Sequence, residues 1–141
     1  MEGSLINELI EDYTEKNPTK SISFSSMGQV NYLSAMKYVD GVVGNSSSGI
    51  IEAPAMKVPT VNLGNRQRGR IRTPSIIDCA EQADAISKAI ERALSDDFRA
   101  TVKMAACPYG EGGTSERIKF HLKTANLSGI LEKRFHDIDV P

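Results

Sequence analysis

Apolar residues at Leu5, Ile6, Leu9, Ile10 and Tyr13 fall on one face of a helix, and Asn17-Pro18 ends that pattern. Ile22, Ser23 and Phe24 then predict a short strand, and Val30, Leu33 and Ala35 or Met36 a second helix opening near Gly28. Gly41, Val42 and Val43 predict another strand, followed by GNSSSG and a helical segment over residues 50–55. Pro54 limits that segment, because proline brings no amide donor and its ring crowds the preceding turn. Residues 60–63 and 75–77 supply two more strand patterns. Short apolar strands alternating with helices are the mark of a parallel α/β sheet.

The second half reads as helical. Ile86, Ala89, Ile90, Ala93 and Leu94 form an amphipathic stripe, and Phe98 with Val102 continues it beyond Ser95, with Asp96 and Asp97 as its expected caps. The turn-like CPYGEGG precedes another helix, with Thr114 or Ser115 as its cap and Ile118, Leu122 and Ala125 on one face. Leu127, Ile130 or Leu131, Phe135 and Ile138 predict a last amphipathic stretch, so residues 1–125 read as an α/β domain and 126–141 as a terminal helix or tail. An α/β unit ordinarily opens on a strand, whereas this chain opens on a helix. The expectation is therefore an incomplete domain, the C-terminal part of something larger.

Composition excludes more than it selects. The 141 residues are 40% hydrophobic and 25% charged, the balance of a globular chain. Seventeen Lys and Arg against eighteen Asp and Glu leave a net charge of -1, which does not advertise nucleic-acid binding. No apolar run approaches the roughly 18 residues of a membrane span, and the N-terminus lacks the pattern of a cleaved leader. Cys79 and Cys107 are isolated thiols, so a cytoplasmic location without disulfides is expected. His121 and His136 have no third ligand at metal spacing, and no metal or cofactor is expected.

The chemistry concentrates between Gly44 and Arg72. GVVGNSSSGIIE passes from strand to helix, where ligands of parallel sheets bind and free helix amides attract anions. Gly44 and Gly49 permit close backbone approach, and Ser46, Ser47 and Ser48 offer hydroxyl donors. Glu52 lies one turn beyond Ser48 on the same helical face, about 6 Å along the axis. A phosphate on the serines would leave that carboxylate near an attached ribose. An ordinary serine-rich helix cap with a solvated Glu is the alternative. Arg66, Arg68, Arg70 and Arg72 follow in RQRGRIR, and with Lys57 they make this segment strongly basic. Arg66 is the first choice to face a ligand and Arg70 the second, with Arg68 and Arg72 solvated. Neither GxxxxGK nor GxGxxG occurs, so this is an anion cradle with a sugar-binding carboxylate, not a P-loop or dinucleotide fingerprint.

GNSSSGIIEAP, PTVNLGNRQRGR, SIID and PYGEGGTSERI, in that order, resemble the C-terminal domain of the hydrolysing UDP-N-acetylglucosamine 2-epimerases of sialic-acid pathways. The resemblance runs from about Leu5 to Lys123. It implies a partial, doubly wound parallel sheet of the glycosyltransferase-B-like kind, with two central strands and a whole N-terminal domain missing. Those strands would lie between 22–24 and 41–43 in a 3-2-1-4 order. It implies UDP phosphate contacts for Ser46 and Ser47, ribose binding for Glu52 and a place for Arg66 in the nucleotide-sugar site. Around them stand Gly44, Asn45, Ser48, Gly49, Gln67, Arg70, Tyr109, Gly110 and Arg117. The family's RQxGR signature is met by Arg66, Gln67, Gly69 and Arg70, while Cys107 and Glu111 replace the Asn and Asp of its NPYGDG block.

The implied reaction eliminates UDP from UDP-N-acetylglucosamine and adds water to give N-acetylmannosamine. The cradle can stabilise the departing diphosphate. No residue is assigned as the base at C2, so the chain alone is expected to be inactive. The implied partners are a UDP-N-acetylhexosamine, the missing domain and, in a full-length enzyme, further copies of itself; no nucleic acid or membrane is expected. A stand-alone nucleotide-diphosphate module, a glycosyltransferase C-terminal domain and an epimerase acting on UDP-diacetylbacillosamine are the alternatives.

Overall fold

The computed structural model describes residues 2–110 and 112–132. Two units divide the chain, residues 1–109 and 110–141. In the first, α1 (Glu2–Lys16) and α2 (Gly28–Met36) precede β1 (Val42–Gly44), α3 (Ser48–Ala55), β2 (Thr60–Leu63), β3 (Ile76–Cys79), α4 (Ala83–Leu94) and α5 (Asp96–Met104). The strands form a parallel sheet in the order β1-β2-β3, with Val43 opposite Val61 and Val61 opposite Ile77.

Alternation along β2 sorts the layers. Thr60 and Val61 point to opposite faces of the sheet, as successive strand residues must. On the Val61 face, Ile77, Ala89, Ala93, Phe98 and Val102 form the larger core, with Leu63, Cys79 and Ile90 packed against it. On the Thr60 face, α3 lies so close that a Cβ on Gly49 would sit 2.7 Å from Thr60 Cγ2. Glycine is therefore what allows this helix to seat on the sheet. A smaller core of Met36, Ala53 and Val58 extends the same layer, joined by Val42 and Met56. Covered on both faces, residues 60–62 of β2 are wholly buried.

Several expected elements are corrected. Residues 22–24 are not a strand: Ile22 and Phe24 are 75% and 57% exposed, and no described strand lies beside them to pair with. Extended backbone without a ladder partner has no sheet to join. The strands expected at 41–43 and 75–77 are shifted to 42–44 and 76–79. Ser95, not Asp96 or Asp97, caps α5, accepting from the Phe98 amide at 3.4 Å, while the two aspartates occupy the first turn. α1 forms as predicted and stops before Pro18, yet its stripe is open, with Leu9 60% exposed.

In the second unit, α6 (Thr114–Thr124) already includes Thr114 and Ser115, so Gly113, at a left-handed φ of 70°, is the N-cap and its carbonyl accepts the Arg117 amide at 3.2 Å. Ile118 and Leu122 are exposed, as are Leu127, Ile130 and Leu131. Residues 128–131 run as turns and no described residue from 125 to 132 is helical, in place of the expected helix. Glu111, Phe135, His136 and Ile138 lie outside the described residues.

Candidate functional site

Because the three strands are parallel, the loops after Gly44, Leu63 and Cys79 all leave from one edge of the sheet. That is the edge where open α/β sheets take their ligands. The crossover from β2 to β3 at residues 64–75 contains no helix, although parallel strands are usually joined by one. It is the arginine-rich segment, so the topology itself carries the basic patch to the serine turn.

The serine turn is tightly built. Ser46 and Ser47 carbonyls accept the first amides of α3, from Gly49 at 3.2 Å and from Ile50 and Ile51 at 3.0 Å. Ser46 Oγ accepts from the Ser48 amide at 3.3 Å. Ser47 stands at the N-cap position in helical backbone, and its hydroxyl makes no capping bond. Ser48 Oγ pairs with the Tyr32 hydroxyl at 2.8 Å, which brings α2 to the site. Tyr32 was not among the expected site residues, since nothing in local spacing connects it to a turn sixteen residues away.

The crossover closes on this turn from the β2 side. Buried Gln67 donates its side-chain amide to the Asn45 carbonyl at 2.8 Å. Arg66 Nη1 reaches Asn45 Oδ1 at 3.4 Å. The pair expected from RQxGR thus meets GNSSSG in space, while Arg70 is exposed and contributes no side-chain hydrogen bond among the described residues. Glu52, in the second turn of α3, is half-buried, and its Oε2 is enclosed without any hydrogen-bond partner. Enclosing a carboxylate oxygen without a donor is unfavourable, so this oxygen is one that a ligand hydroxyl would satisfy.

Arg72 corrects an expectation. It is not a solvated cation: its side chain is 30% exposed and Nη2 lies 3.3 Å from Asp78 Oδ1. Asp78 also accepts from the buried Asn62 amide at 2.7 Å. Asp78 and Glu81 lie beyond the arginine run in sequence, and only parallel pairing of β3 with β2 brings them to this edge. Tyr109 donates its hydroxyl to the Ile71 carbonyl at 3.1 Å, tying the end of the first unit to the crossover. Arg117 stays within the second unit, donating to the Gly112 carbonyl at 3.1 Å and the Thr114 hydroxyl at 2.9 Å. Gly110 belongs to that unit as well. Among the described residues no three His, Cys, Asp or Glu side chains gather at metal-binding distance.

Comparison with known proteins decides the lineage. Residues 2–123 match the UDP-N-acetylglucosamine 2-epimerase family. The chain belongs to that family. Among 2-epimerase relatives, the GDP/UDP-N,N'-diacetylbacillosamine 2-epimerase (hydrolyzing) of Campylobacter jejuni is 42% identical over 96% of this chain and 35% of its own length. The UDP-N,N'-diacetylbacillosamine 2-epimerase (hydrolyzing) of Legionella pneumophila is 37% identical over 93% of this chain and 33% of its own. The UDP-N-acetylglucosamine 2-epimerase of Neisseria meningitidis serogroup B is 36% identical over 65% of this chain and 23% of its own. The chain spans about a third of the length of the first two relatives.

Proposed function

We propose that this chain is the nucleotide-binding part of a hydrolysing 2-epimerase acting on a UDP-linked 2-acetamido sugar. Ser46 and Ser47, at the opening of α3, bind the diphosphate, and Arg66 supplies the cation beside it. Glu52 accepts from the ribose hydroxyls. The single observation that carries this reading is the enclosed, unpartnered Oε2 of Glu52, one turn from Ser48. A solvated Glu beside an ordinary cap would leave that oxygen in water.

In the reaction the cradle stabilises negative charge as UDP leaves C1, with donors fixed before the charge develops. Proton transfer at C2 falls to groups outside residues 44–72, since Glu52 is committed to ribose. The uncovered stripe of α1 and the unpaired segment 22–24 support an incomplete doubly wound sheet of the glycosyltransferase-B-like kind. A cytoplasmic location belongs to the same reading: Cys79 and Cys107 are free thiols, and no described helix is long and apolar enough to cross a membrane.

For the sugar, UDP-N,N'-diacetylbacillosamine is favoured over UDP-N-acetylglucosamine. The two relatives named for the former cover 96% and 93% of this chain, against 65% for the one named for the latter.

The test is calorimetric. Glu52→Gln should weaken UDP binding by about tenfold to 150-fold, the worth of a charge-assisted hydrogen bond pair, and leave inorganic pyrophosphate almost untouched. Equal losses for both ligands would assign Glu52 to organising the serine turn and withdraw the ribose contact.

A further inference from the structure

The crossover at residues 64–75 divides its arginines between two places. Arg66, with Gln67 beside it, turns toward Asn45 and the serine turn. Arg68 and Arg72 instead line a separate cleft of about 720 Å³ at the ends of β2 and β3, with Gly64, Asp78 and Glu81 among the residues on its wall. Nothing in the proposed UDP site uses this cleft.

Its polar groups are only partly satisfied. Arg72 spends Nη2 on Asp78, but its Nη1 is buried with no partner. The side chain of Arg68 makes no hydrogen bond or ion pair among the described residues. The Glu81 carboxylate is likewise unpaired among them, and it lies over Gly64, where a Cβ would collide with Oε1. Gly64 also holds a left-handed φ of 65°, a backbone conformation that favours glycine there, whereas the Glu81 carboxylate is the movable end of a flexible side chain. Two guanidinium groups with donors to spare thus share a cleft with two carboxylates, Asp78 held by Arg72 and Asn62 and Glu81 without a partner among the described residues.

We propose that this cleft binds a phosphorylated sugar, its phosphate bridging Arg68 and Arg72 and its hydroxyls donating to Glu81. Guanidinium forks match phosphate oxygens in geometry and charge, and a phosphate presents enough oxygens for two of them. Glu81 would repel a bare anion and accept from the hydroxyl hydrogens of a sugar, so it favours a phosphate that carries one. The volume falls in the range of roughly 300–1,000 Å³ that small-molecule sites occupy.

The experiment is calorimetry on the full chain, which reads binding in any state of association, with glucose 6-phosphate, inorganic phosphate, glucose and UDP as titrants. Arg68→Ala removes an exposed side chain without partners, so folding is not at stake. It should weaken glucose 6-phosphate and inorganic phosphate by about tenfold, the worth of one charge-assisted contact, and change UDP by less than about twofold. Glu81→Gln should weaken glucose 6-phosphate several-fold and strengthen inorganic phosphate. Arg66→Ala should do the reverse of Arg68→Ala, costing UDP and sparing the sugar phosphate. Failure of UDP to bind, with glucose 6-phosphate still dependent on Arg68, would sink the UDP reading alone. No binding of glucose 6-phosphate by the wild-type chain, equal affinity in Arg68→Ala, or a loss that follows Arg66 instead would overturn the cleft.

Discussion

At the scale of single residues, the site depends on side chains whose surroundings do more than their identities. Arg66 and Arg68 stand two apart in one basic run, yet one bonds Asn45 and the other faces a different cleft. Replacing Arg66 with Lys should therefore weaken UDP although the charge is kept, because an ammonium lacks the planar fork. Equal UDP affinity for the wild type and Arg66→Lys in calorimetry would reduce Arg66 to a point charge. Gly49 makes the sharper case. Gly49→Ala places a Cβ 2.7 Å from Thr60 Cγ2 and should destabilise by about 1–3 kcal/mol, the usual penalty for overpacking. Thr60→Ser, which deletes that methyl, should restore most of the loss in the double variant. Urea midpoints unmoved by Gly49→Ala would mean α3 does not press on β2.

At the scale of elements, helix ends and crossovers decide where chemistry sits. Ser95 separates α4 from α5: its hydroxyl caps the second helix through the Phe98 amide and donates to the Arg92 carbonyl at 2.8 Å. Phe98, buried in the larger core and 5.4 Å beneath the Arg92 guanidinium, anchors the same corner. Ser95→Ala should lower stability by about 1 kcal/mol, read as a fall in thermal midpoint, whereas Asp96→Ala, in the first turn without the capping bond, should cost less. The opposite ranking would return the cap to Asp96.

The crossover is the larger lesson at this scale. A helix between β2 and β3 would have presented its own face to the sheet. A loop allows Gln67 and Arg66 to reach one way and Arg72 the other. At the far end of the strands the joints are structural: Arg99 bonds Asp40 at 2.9 Å, and Lys57, in left-handed backbone at φ 59°, donates to the Ala105 carbonyl.

At the scale of the whole chain, the described residues leave much apolar surface in water. Leu5, Ile6, Leu9, Ile10 and Tyr13 expose one continuous face of α1, and Val43 on β1 is 49% exposed. β1 pairs with β2 along one edge, and no described strand covers the other. Exposed stripes and open edges drive association. The 141-residue chain should elute in size exclusion well above its 15.4 kDa at micromolar concentration, and Leu9→Glu should shift it toward the monomer. A wild-type chain running as a monomer under those conditions would show that the stripe does not associate.

How much was legible follows from how local each cause is. α1, α4 and α6 were readable because helical spacing is a property of neighbouring residues, and β2 because residues 60–63 are flanked by breaks. The serine turn and Glu52 were readable too, since one helical turn fixes their proximity. Segment 22–24 was misread because a strand exists only with a partner, and apolar residues cannot report whether one is there. Thr114 and Asp96 were misread as caps because the choice among neighbouring residues depends on where the backbone first turns helical. Tyr32 at the serine turn, and Asp78 and Glu81 at the neighbouring cleft, lay beyond reach, because only packing and strand order place them there. The sequence by itself determined the family, the strand-to-helix cradle and the arginine-rich crossover, all written in contiguous residues. Tertiary structure alone decided that Gln67 locks onto Asn45, that Arg72 is held by Asp78, and that one loop sends Arg66 to the serine turn and Arg68 to a separate cleft, because parallel pairing brings three separate chain ends to one edge of the sheet.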